Sequence, residues 1–251
     1  MTQQEDEIRP LKGAPRYIRL SLSWLVLLPL SVVMVCALLL QLNQDSTQIW
    51  KPDFWLEESV WFTLLGAGTF TALTISRIAA TIQNYVYVLG HELTHALAAI
   101  TCGGRVSRIS VSAEGGFVDT NVDNIYVSLS PYCVPLWMGL WMLGVWLANW
   151  FFPFPQWKAW FYAGFGFWWC FHLYWTAKNI ISIEQPDMKE NGLVFSLMIT
   201  LILNIIILLV VLCCFGVITP AGYAQSLYSA ALQIWECACA LYGWLVELAT
   251  R

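Results

Sequence analysis

From Leu193 to Phe215 the chain carries no charged side chain. A helix of ~20 apolar residues, rising 1.5 Å per residue, crosses a hydrocarbon core ~30 Å thick. Comparable blocks occupy about residues 20–42, 59–76, 84–101, 131–152 and 157–183, and a less apolar one runs from Tyr223 to Leu248. In lipid every backbone donor and acceptor must be satisfied internally, so such blocks become helices. The pattern predicts an all-α polytopic membrane protein with six transmembrane helices, or seven if Tyr223–Leu248 crosses the bilayer instead of lying in the interface.

Composition points the same way, with 59% hydrophobic and 11% charged residues, against roughly 45–50% and about 25% in soluble domains. The net charge of −4 is spread along the chain, and no basic arm suggests a nucleic-acid partner. The eight cysteines lie mostly in apolar stretches and form no zinc-finger spacing, so they read as small hydrophobes. The segments divide into a polar tail (1–19), two accessory spans (20–83), a transmembrane core (84–216) and a C-terminal amphipathic or membrane helix (217–251).

Between the third and fourth blocks lies the longest non-helical stretch, predicted as Arg105–Ser130. Val106, Ile109 and Val111 are set among Ser107, Arg108, Ser110 and Ser112, and Gly115–Gly116 can turn the chain. A small β-hairpin is expected there. Glu114, Asp119 and Asp123 read as solvated loop charges. Asn84 reads as a helix N-cap, and Asn204 as a hydrogen-bonding residue between helices.

The third block holds His91-Glu92-Leu93-Thr94-His95. Residues four apart share one face of a helix, so both imidazoles can reach one metal ion. Glu92 can then act as general base on a metal-bound water, which zinc brings to a pKa of roughly 7. Three ionisable groups in one turn of an apolar helix are costly and mark function. A catalytic zinc site needs a third protein ligand, and two candidates stand out. Depth counting favours His172, because His91 and His172 both lie roughly 15 Å into their blocks at 1.5 Å per residue. Asp187 qualifies if the break at Pro186 folds its segment back towards a polar cavity.

Gly90-His91-Glu92-Leu93-Thr94-His95-Ala96, Gly103-Gly104 and the stretch ending in Gly115-Gly116 together resemble the core of the site-2 protease family of intramembrane zinc metalloproteases, in its short branch. The resemblance covers about Tyr85–Ser196 and implies a small β-structure after the HExxH helix. It also implies Zn2+ as cofactor and an aspartate on a later helix as third ligand, within a motif such as N-P-x-x-P-L-D-G. The nearest match is Gln185-Pro186-Asp187 with Gly192 downstream, without the Leu-Asp-Gly, and it selects Asp187. His172 then becomes a neighbouring donor. The expected activity is zinc-dependent cleavage of a membrane-embedded or juxtamembrane peptide, the partners being that substrate and the lipid bilayer. An inactive scaffold of the same fold and a metal or proton transporter are the alternatives. If every block crosses in turn, Arg77 and Lys158 share one side of the membrane and Lys178 lies on the other.

Overall fold

The computed structural model describes residues 14–44, 47–77, 80–112, 115–182 and 186–250. The first part of the polar tail, Glu114, Glu184 and Gln185 therefore lie outside the described residues. The chain divides into two compact units. One is built from Leu56–Ser196; the other combines Gly13–Trp55 with Leu197–Arg251.

In the second unit, α1 (Ala14–Leu22) continues through a π-helical turn, Ser23–Leu27, into α2 (Leu28–Leu42). Pro29 has no N–H to give the Leu25 carbonyl, and the helix widens just before it. Met34 packs with Ile202 and Ile205 of α9 (Leu193–Cys214) and with Leu227 of α10 (Pro220–Ala249). Two hydrogen bonds tie α10 to α2: Tyr223 to the Met34 carbonyl at 3.0 Å, and Ser226 to Gln41 Oε1 at 2.9 Å. Within α9, Asn204 donates back to Thr200 O at 2.9 Å.

In the first unit, α3 (Glu58–Ile75) and α7 (Trp157–Ser182) make the closest contact. A Cβ on Gly66 would meet the Ala163 carbonyl, and one on Gly166 would meet that of Thr63. Small residues let two backbones approach this closely. Phe70 meets Phe167, Phe171 and Tyr174 edge-on, and further along Arg77 and Lys178 line one basin. Residue numbers rise together, so the two helices run parallel. This corrects the strict alternation of crossings: Arg77 and Lys178 share one end of the unit.

The intervening segments do not each make one straight crossing. The block expected as a single span at 131–152 is two helices, α5 (Ile125–Cys133) and α6 (Leu136–Phe151), bent by 65°. Pro135 cannot donate a backbone hydrogen bond and holds Val134 extended, which breaks the helix. Helix α5 also takes in residues predicted to be irregular, because Asn124 caps it by accepting from the Val127 N–H at 3.0 Å. Helix α6 returns antiparallel to α7, with Trp141 donating to the Trp160 carbonyl at 2.9 Å.

Helix α4 (Ala80–Thr101) begins a turn before the predicted start, so Asn84 lies inside it and not at its cap. Its far end closes with Gly103 at φ +77, the Gly104 N–H reaching Ala99 O at 2.8 Å and that of Gly103 reaching Ile100 O at 2.9 Å. Glycine takes this left-handed conformation without a Cβ penalty. The chain then forms the expected antiparallel hairpin, β1 (Val106–Val111) with β2 (Gly116–Thr120). Phe70, Tyr87, Phe171 and Trp175 form a core joining α3, α4 and α7.

Among the described residues, two helical stretches, Pro15–Leu42 and Leu193–Cys214, are long and apolar enough to cross a membrane. The number rises to four if each bent pair, α3 with α4 and α5 with α6, counts as one span. Helix α10 is not among them.

Candidate metal centre

His91 and His95 project from one face of α4, and their Nε2 atoms lie 3.2 Å apart. Asp187 reaches them from the short helix α8 (Pro186–Asn191). Its Oδ2 is 3.5 Å from His91 Nε2 and 3.3 Å from His95 Nε2. The aspartate comes from the polar interruption before α9, which folds back against the unit. Met188 is buried, and its carbonyl accepts from Ser196 Oγ at 3.0 Å. Gly192, at φ +90, ends α8 and lets α9 start at once.

These three residues could hold a metal ion. Ligand bonds of about 2.0–2.1 Å in a tetrahedron place neighbouring donors roughly 3.3–3.4 Å apart. The three donor separations match that edge.

Each donor is oriented from behind. His95 Nδ1 donates to the Val127 carbonyl at 2.9 Å. That carbonyl would ordinarily accept from the N–H four residues on, but position 131 is proline, so Pro131 leaves it available to His95. The Tyr87 hydroxyl lies 3.4 Å from His91 Nδ1, and the Tyr87 ring stacks on Trp175. Tyr132, fully buried, donates to Asp187 Oδ2 at 3.1 Å and sets its ring edge-on to His91. With Nδ1 of each histidine engaged outward, each Nε2 faces the common centre, as metal-binding imidazoles require.

Glu92 is buried at the start of the same turn. A Cβ on Gly116 of β2 would come within 2.6 Å of Glu92 Cγ and 2.9 Å of its Oε1, so the hairpin lies directly over this carboxylate. His172 is buried on α7 and lines a cavity of about 20 Å³ with His91, Tyr87 and Thr94. It stands beside His91, outside the three-residue cluster.

Tyr132, Gly116 and the Val127 carbonyl are parts of this centre that the sequence reading did not assign. Pro131 inside a helix was the readable signal for the carbonyl, whereas nothing separates Tyr132 from the other nine tyrosines. Of the loop acids, Asp119 is exposed on β2 and Asp123 accepts from Ser128 at 3.3 Å, and neither belongs to the cluster. Comparison with known protein families, curated proteins and solved structures finds no match.

Proposed function

We propose that this chain is an intramembrane zinc metalloendopeptidase of the site-2 protease kind, a multi-pass protein of six or seven membrane segments that cleaves a peptide bond of a membrane-embedded or juxtamembrane substrate. The observation carrying this reading is the convergence of the Asp187 carboxylate on the two Nε2 atoms of the HExxH histidines. Two histidines and a carboxylate are a common catalytic zinc set, in which the fourth position stays open.

In this reading His91, His95 and Asp187 bind the ion. A bound zinc supplies Lewis acidity, polarising a carbonyl and acidifying water in its open position. Glu92 is a base and not a ligand. It takes the water's proton on a carboxylate oxygen as the water adds to the scissile carbonyl, and then delivers that proton to the leaving amine nitrogen. Packing against Gly116 holds the Glu92 side chain in place and shields it from bulk water. Tyr132 and the Val127 carbonyl keep the ligands aimed.

The test compares wild type with Glu92→Gln in the full-length protein. Wild type should hold about one zinc per chain and cleave a membrane peptide substrate. The variant should keep its zinc and its melting behaviour while cleavage falls at least ~100-fold. A variant that cleaves at the wild-type rate, or that loses its metal, would falsify the assignment of Glu92 as base.

A further inference from the structure

Where α3 ends and α4 begins, an open basin of about 680 Å³ takes its walls from three helices. Two cations from different helices enter it, Arg77 just after α3 and Lys178 on α7, and no Asp or Glu stands among its described lining residues. Like charges sharing a concave site repel each other unless an anion lies between them. Lys178 Nζ sits 4.1 Å from the centre of the Trp175 ring, a contact that fixes the ammonium without using its N–H donors. Trp175 itself lines the basin and is 4% exposed, so its ring gives the ammonium a fixed wall to rest against. The first turn of α4, at Ala80 and Thr81, also faces the basin and adds the positive end of a 22-residue helix.

We propose that this basin binds a phosphate-bearing anion. Arginine offers a planar fork to phosphate oxygens and lysine a point charge. The volume falls within the ~300–1,000 Å³ typical of small-ligand sites. The basin lies at the level where the apolar helices α3 and α7 end, the level of lipid headgroups in a bilayer. An anionic phospholipid and free phosphate both present this chemistry. The proposal stands apart from the metal centre and does not depend on peptidase activity.

The experiment is native mass spectrometry of the full-length protein in neutral detergent, titrated with phosphatidylglycerol, phosphatidylcholine or inorganic phosphate. Phosphatidylglycerol should be retained about tenfold better than zwitterionic phosphatidylcholine. The double variant Arg77→Gln, Lys178→Gln should lose about tenfold of that retention or more, as removal of charge-assisted hydrogen bonds does. Lys158→Gln, at the opposite end of α7, should leave it unchanged. Displacement of the lipid by inorganic phosphate identifies phosphate alone as sufficient; lipid held against excess phosphate identifies the membrane-borne headgroup. Equal retention of the two lipids, full retention in the double variant, or no binding of any of the three probes overturns the proposal. If the double variant does not fold, Lys178→Gln alone and a salt titration of wild type replace it, and retention indifferent to both is equally decisive against it.

Discussion

The hydroxyl of Tyr132 donates to Asp187 Oδ2, the same oxygen that lies within 3.5 Å of both HExxH histidines. Tyr132 precedes Asp187 by 55 residues and is wholly buried, so this bond depends on α5 and α8 meeting correctly. Losing the hydroxyl leaves one lone pair of a potential ligand unsupported and the carboxylate free to rotate. Tyr132→Phe should therefore weaken zinc binding about 10–100-fold, the usual cost of removing a partner behind a ligand. A chelator competition on both proteins measures it. Unchanged affinity would remove Tyr132 from the centre.

Stoichiometry tests which of Asp187 and His172 completes the proposed ligand set. Asp187→Ala should abolish tight zinc binding, whereas His172→Ala should leave about one zinc per chain. Metal analysis after dialysis reads both. Loss of metal in the His172 variant with retention in the Asp187 variant would make the site three-histidine and overturn the ligand set.

Gly116 makes a claim about the hairpin that metal binding does not test. A methyl group there meets Glu92 and the Ser110 carbonyl, at 2.6 and 2.8 Å from the new Cβ, so either the carboxylate or the strand must shift. Gly116→Ala should keep its zinc while cleavage falls about tenfold or more, since small displacements of a catalytic group are costly. The value to follow is turnover per bound zinc. Normal turnover would mean that β2 does not position Glu92.

Much of the candidate metal centre was legible in the sequence. The pair His91 and His95 follows from the 3.6-residue period of a helix, and the cost of placing such groups in an apolar stretch marks them. The hairpin was readable from alternating residues bounded by glycine. The bend within 131–152 was less so, since Pro131 and Pro135 sit inside a continuous apolar run and hydropathy is blind to backbone donors. The parallel course of α3 and α7 was not readable at all: counting spans assumes straight crossings, and glycine-mediated contact between distant segments leaves no periodic trace.

The sequence by itself determined the helical class, the apolar blocks and the two histidines with Glu92 beside them, because each is a local consequence of spacing, hydropathy or backbone chemistry. The choice between His172 and Asp187 was different. Both residues stand at chain positions from which a metal centre can be reached, and depth counting along straight helices preferred the histidine. Only the tertiary structure decided which of them meets the two HExxH histidines, and it is Asp187, through the fold-back of α8: Gly192 turns the chain, Met188 is buried, and Tyr132 donates to the carboxylate. Which side chains meet across 90 or more residues depends on the packing of whole helices, and no local pattern encodes that.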